Sequence, residues 1–161
     1  MLVNEVLDLA ITYNENDVRR INHLLKVFSF ASHIGIMENC DSRLQTIIEI
    51  SALLHDIGIH ESERKHNSSA GNWQEIEGPI VARELLKNLT LENDILERVL
   101  FLIGHHHSYS AIDGIDFQIL VEADFLVNIF EDGIDKSGCE KIKETVFKTK
   151  TGIKLLERLY I

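Results

Sequence analysis

Apolar residues recur at helical spacing along nearly the whole chain, and nowhere do they alternate as a half-buried strand would. Val3, Val6, Leu7 and Ala10 share one face and predict a short first helix. From residue 17 to about 37, Val18, Ile21, Leu24, Leu25 and Phe28 predict a long second helix, with Gly35 near its end. Ser42 with Gln45 three positions on has the form of a capping box. The helix it opens carries Leu44, Ile47, Ile48, Ser51 and Leu54 and is expected to stop near Gly58. Pro79 suits the first turn of a helix reaching about Asn88, with Ile80, Ala82, Leu85 and Leu86 inward. Thr90 is the expected cap of the next, through Ile95, Leu96, Val99, Leu102 and Ile103. Asp116 is expected to cap a strongly apolar helix over 117–131, ended by Gly133. Ser137 with Glu140 reads as another capping box, and 153–160 as a short last helix. The pattern predicts an all-α fold of about seven helices.

Two stretches break the periodicity. Residues 59–73 carry Glu61, Glu63, Arg64, Lys65, His66, Asn67, Ser68 and Ser69, and read as a long polar loop of the kind that usually serves function. Residues 108–114 form a second loop. No repeat, linker or composition shift divides the chain, so residues 1–161 are expected to form one domain, with 137–161 as its C-terminal helices. At 161 residues and 45% hydrophobic, it can bury about two thirds of its unfolded surface. A net charge of −10 opposes general nucleic-acid or anionic-membrane binding, although a local basic pocket can still take a small phosphate. Two cysteines, Cys40 and Cys139, make no disulfide framework, and no apolar run approaches 18 residues. A soluble cytoplasmic domain is the expectation, with its oligomeric state left open.

The chemistry lies where polar residues interrupt apolar faces. His55 and Asp56 end an apolar helix, and His23 sits mid-helix beside Leu24 and Val27. Asp124 lies within 119–127, one of the least polar stretches of the chain. A carboxylate buried there costs several kcal/mol unless something pairs with it. Each residue alone has a plain explanation: a core histidine bonded to a backbone carbonyl, or an Asp124 paired with Arg19 or Arg83. On successive apolar helices they call for one shared explanation, a divalent cation. Imidazole plus carboxylate suits Mn, Fe, Co, Ni or Zn, and is not a structural-zinc pattern.

These residues resemble the HD-domain metal-dependent phosphohydrolase superfamily, defined by an H…HD…D constellation. His23 resembles its first histidine, His55-Asp56 within Leu53-Leu54-His55-Asp56-Ile57-Gly58 its signature doublet, and Asp124 its closing aspartate. The likeness spans roughly residues 18–130. It implies a divalent ion, Mg included among the possibilities, held by His23, His55, Asp56 and Asp124. It also implies hydrolysis of a phosphate ester of a nucleotide or another small molecule, with Asp56 and His106 as catalytic groups. Relatives with two metals carry histidines where His106 and His107 stand, within the triplet that starts at His105. They place a further histidine where this chain has Gln74, so a tightly held second ion is not expected unless His60 or His66 substitutes. Relatives that cleave cyclic dinucleotides have Lys where Ile59 stands and a Gly-Tyr-Pro signature that is missing from 113–116. That specificity is disfavoured.

Arg64, Lys65 and His66 are candidates to clamp phosphate oxygens, or else part of a solvated loop. Trp73 either stacks on a base or anchors that loop. Two rival functions share the helical core: a di-iron oxygenase, which needs six ligands, and a non-catalytic nucleotide-sensing module.

Overall fold

One helix, 115–131, is buried nearly all round, and the rest of the chain is arranged about it. The computed structural model describes residues 1–161 as nine α-helices and one turn of 3-10 helix at Tyr109–Ala111, with no strand. In order they are α1 (Leu2–Tyr13), α2 (Val18–Met37), α3 (Ser42–Leu54), α4 (Ile59–His66) and α5 (Gly71–Leu86). Then come α6 (Asn93–Ile103), α7 (Ile115–Glu131), α8 (Lys136–Thr145) and α9 (Lys150–Tyr160). The apolar character of α7 explains its position, since a helix without a polar face has no side to give to water. α2 and α3 pack on it and on each other, α6 covers α3, and α9 closes one end of α7. Phe117, Ile119, Leu120 and Leu126 of α7 meet Ile48, Leu53 and Leu54 of α3 and Leu102 and Ile103 of α6 in one fully buried core. No helix is long and apolar enough to cross a membrane.

The expected loop over 59–73 is mostly helical, which accounts for part of the excess over seven helices. α4 is only eight residues long and turns just Ile59 and Ser62 inward, too few positions for a period to show. Its polar residues stabilise it locally: Arg64 and Lys65 both reach back to Glu61, and Arg64, Lys65 and His66 lie in its negative C-terminal turn. Asn67, in the left-handed conformation at φ 50°, ends it. α5 then starts at Gly71, so Pro79 lies inside the helix rather than in its first turn. The extra turns are held by tertiary contacts. Glu77 is buried and accepts from Lys65 Nζ at 2.6 Å and His66 Nε2 at 2.9 Å.

Helix starts also move by a residue or two. Asp41 rather than Ser42 caps α3, accepting from Leu44 N at 2.8 Å, and Asp135 rather than Ser137 caps α8 through Gly138 N. The carboxylate one or two positions upstream wins because it sits in the extended conformation a cap needs. Gln45 donates instead to the Ser32 carbonyl on α2. Neither Thr90 nor Asp116 is a cap: α6 follows Glu92 and α7 follows Gly114.

Asp116 is buried in the first turn of α7, where Arg98 of α6 grips both its oxygens at 2.7 Å and also Asp113. Arg98→Ala is expected to lower stability by about 2 kcal/mol, because it strands a buried carboxylate but a partly exposed pair is screened. Urea unfolding checks this; an unchanged midpoint would mean water replaces the guanidinium at no cost. A second buried carboxylate of α7, Glu122, accepts from Lys148 N, Thr149 N and Thr149 Oγ1, and so ties down the start of α9. Asp124 is the third, and neither an arginine nor a helix N-terminus meets it.

Candidate metal centre

What meets Asp124 is two imidazoles. His23 from α2 and His55, just past the end of α3, bring their Nε2 atoms to 3.2 Å of each other. Asp124 Oδ1 lies 3.3 Å from the first and 3.6 Å from the second. Asp56 Oδ2 is 3.5 Å from both. Donors about 2.1 Å from a shared ion stand roughly 3.0–3.4 Å apart in octahedral or tetrahedral arrangement. His23, His55 and Asp56 therefore lie close enough to share an ion, and Asp124 Oδ1 faces the same two nitrogens at nearly the spacing a cation would set.

The outer contacts orient these donors. His55 Nδ1 donates to the Ala52 carbonyl at 2.9 Å, and His23 Nδ1 donates to Glu131 Oε2 at 3.0 Å. Both Nε2 atoms are thereby left to face each other and the two carboxylates, an arrangement that needs positive charge between them. Protons supply it when no ion is bound. Burial works against a charged His55, but Asp56 and Asp124 outweigh it and raise its pKa to about 9. Burial likewise works to raise the pKa values of both carboxylates, yet His55 with His106, and His23 with His55, hold Asp56 and Asp124 far below the usual carboxylate range.

A divalent ion entering at pH 7 must expel the His55 proton. Affinity is therefore expected to fall about tenfold for each pH unit below 9 from this group alone. Calorimetric titration in buffers of different ionisation enthalpy reads the released proton. Affinity that is flat between pH 6 and 8 would mean that His55 is already neutral there and gives up no proton to the ion.

A second group adjoins the first. Asp56, His106 and His107 lie close enough to share an ion. Asp56 presents one oxygen to each group, with Oδ1 at 3.4 Å from His106 Nε2. His106 Nδ1 donates to the Ile103 carbonyl at 2.8 Å, and its buried Nε2 makes no hydrogen bond. An unsatisfied polar atom at the centre of a site is where a ligand or ion is expected. His107 is differently placed. Its Nε2 is 3.3 Å from Gln74 Oε1, while Gln74 Nε2 donates to the Ser69 carbonyl. The amide thus occupies the ring nitrogen that a second ion would use, and burial with the neighbouring His106 lowers the His107 pKa to about 4.

Three of the other histidines make contacts elsewhere. His105 stacks on Phe101, His60 contacts Arg20 and Tyr13, and His66 stacks on Trp73 with ring centroids 3.8 Å apart. His60 and His66 are not brought to the second group. Arg64 and Lys65 are engaged by Glu61 and Glu77, and none of 64–66 lines the cavity at the metal centre. Trp73 anchors α4 to α5. Arg83 pairs with Glu97, so the alternative partner for Asp124 is committed elsewhere.

Several residues escaped the sequence reading. Glu131 orients His23, Asn128 Nδ2 donates to Asp124 Oδ1, and Glu75 accepts from His107 N and Ser108 Oγ. Asn128 and Glu131 lie four and seven positions after Asp124, on the same face of α7, so helical spacing was a usable signal for both.

A cavity of about 310 Å³ opens onto His23, Asp56 and Gln74. Gly58 sets the turn that delivers the doublet to it. A Cβ there would lie 2.6 Å from Gly78 N and 2.8 Å from the Gln74 carbonyl, so the start of α4 touches the α5 backbone directly.

An all-α bundle that converges two histidines and two aspartates from three helices defines a metal-binding helical domain. The chain belongs to the HD domain family, whose model matches residues 20–143. Among curated proteins none matches. In fold the chain is similar to the crystal structure of a predicted HD superfamily hydrolase from an uncultured Thermotogales bacterium. That likeness has a TM-score of 0.70 at 24% identity and covers 96% of this chain and 83% of the other.

Proposed function

We propose that this protein is a metal-dependent phosphohydrolase that releases phosphate from a nucleotide or another small phosphate ester. The observation that carries the proposal is the convergence of His23 Nε2, His55 Nε2, Asp56 Oδ2 and Asp124 Oδ1 beside an open polar cavity. A cation held by these four residues would supply Lewis acidity, polarising the phosphoryl group and acidifying water. Asp56 orients the attacking water, and its two oxygens reach both groups of donors. His106 Nε2 is free to hydrogen-bond a phosphoryl oxygen or to carry a proton. Hydrolysis breaks the ester P–O bond, joins the water oxygen to phosphorus and returns one proton to the leaving alcohol. His106 is placed to pass that proton.

The deciding experiment is phosphate release from a panel of phosphate esters with Mn²⁺, Co²⁺, Mg²⁺ or Zn²⁺ added to the dialysed protein. No metal-stimulated turnover of any ester would refute the proposal and favour the sensing module. Iron retention with O₂ consumption would favour the oxygenase. His106→Ala is expected to lower kcat about 100-fold at unchanged metal content, the scale of a lost proton carrier.

The His107–Gln74 contact supports one tightly held metal per chain. Gln74→His is expected to raise the metal retained after dialysis from about one towards two per chain. Two ions retained by the wild type, measured by emission spectrometry, would contradict this.

A further inference from the structure

The cavity beside the metal centre has an unusual lining for a site that takes a nucleotide. Of its eleven lining residues only Ile59 is hydrophobic, and none is Phe, Tyr or Trp. Base-binding sites commonly present an apolar or aromatic face, because the base has a large π surface and few hydrogen-bonding edges. Trp73, the one tryptophan of the chain, stacks on His66 and is not part of this lining.

Most charges around the cavity are already matched. Asp17 pairs with Arg20 at 2.9 Å, Arg20 also holds Glu63, and Glu131 is shared between His23 and Lys26. Three side chains have no hydrogen bond or ion pair: the Arg19 guanidinium, the Asp132 carboxylate and the Ser69 hydroxyl. Arg19 precedes the metal-ligand candidate His23 by four residues on α2, so both occupy one face, about 6 Å apart along the axis. An arginine side chain spans that distance. The uncommitted groups are thus one anion-binding fork, one acceptor for hydroxyl protons and one hydroxyl.

Resting on the phosphohydrolase reading, we infer that Arg19 is the specificity-determining anchor for the substrate's phosphate, and that the cavity takes a hydroxyl-rich phosphomonoester of the sugar-phosphate class, with Asp132 and Ser69 facing its hydroxyls. The planar guanidinium binds two phosphate oxygens at once. Asp132, in the same lining, supplies an acceptor that favours hydroxyls and repels a misplaced phosphate. A nucleobase gains nothing from this lining.

Ribose 5-phosphate and adenosine 5′-monophosphate form the matched test, because they share the sugar and phosphate and differ by the base. Metal-loaded wild type is expected to turn over ribose 5-phosphate with at least the kcat/KM shown for the nucleotide. Arg19→Ala is expected to raise KM for ribose 5-phosphate and to weaken calorimetric binding of orthophosphate, each roughly 10- to 100-fold, at unchanged metal content. Arg19→Lys is expected to recover only part of both, since a point charge replaces the fork. Asp132→Asn is expected to raise KM for ribose 5-phosphate while leaving orthophosphate binding unchanged.

A nucleotide preference above about tenfold would overturn the substrate class, and orthophosphate binding indifferent to Arg19→Ala would overturn the anchor. Orthophosphate binding that depends on Arg19, with no turnover of any ester, would remove the hydrolase reading and keep the anchor.

Discussion

Asp124→Ala is expected to abolish tight metal binding and, with it, turnover, while the helices stay folded. Asp124 Oδ1 lies 3.3 Å from His23 Nε2 and 3.6 Å from His55 Nε2, and removing it leaves one carboxylate to balance a divalent charge. Loss of an outer contact alone weakens metal binding by roughly 10- to 100-fold, so loss of a direct ligand is expected to exceed about 100-fold. The fold is not expected to suffer in the same way. Asp124 is 7% exposed on a largely apolar helix, and its ionised form is costly there unless the imidazoles or an ion compensate it. The metal-free variant is expected to lose some stability, because the two imidazoles lose the carboxylate they face, yet to stay folded on an apolar core that does not include Asp124. Emission spectrometry reads metal content, and circular dichroism with thermal melting reads the fold. A variant that keeps its metal would end the assignment of Asp124 as a ligand. One that unfolds in the cold would make it a structural residue.

Gly58→Ala is expected to be the most damaging single-methyl change in the chain. The added carbon would fall 2.6 Å from Gly78 N, 2.8 Å from Gly78 Cα and 2.8 Å from the Gln74 carbonyl. All three are backbone atoms, so no rotamer change relieves the clash and α4 must separate from α5. Forced overpacking of this kind costs about 3 kcal/mol. Separation also moves Asp56 relative to Gln74, and displacements of about 1 Å at a reacting centre can cost about 100-fold in rate. Turnover is thus expected to fall by more than about tenfold at temperatures where the variant is fully folded.

Gly133→Ala is the control. Gly133 adopts φ 64° one residue beyond the cavity-lining Asp132, with open space around its Cα, so alanine there meets only backbone strain of about 1 kcal/mol and no backbone clash. Equal effects of the two substitutions on turnover would show that the Gly58–Gly78 contact does not position the site.

The four candidate donors stand out in the chain because each breaks a rule its neighbours obey. His23, His55, Asp56 and Asp124 put polar or ionisable groups on faces that are otherwise Leu, Val, Ile and Ala. The long helices were legible for a related reason. α2, α3, α6 and α7 repeat their inward residues over three or more turns, and that period depends only on residues a few positions apart. α4 was not legible, because eight residues with two inward positions carry no measurable period. Its stability comes in part from Glu77, eleven and twelve positions beyond His66 and Lys65.

Long-range packing alone decided the roles of the remaining polar residues. Arg64, Lys65 and His66 look free in the chain and are bound to Glu61, Glu77 and Trp73 in the fold. Gln74 meets His107 across 33 positions, and Glu131 meets His23 across 108. Arg19 shows the converse: two positions after Asp17 in the chain, it is left unpaired at the cavity by the packing of α2 against α7. Local periodicity is written between neighbours, since a helix is closed by bonds four residues apart. Which polar group satisfies which depends on where whole helices come to rest, and that is set by burying α7.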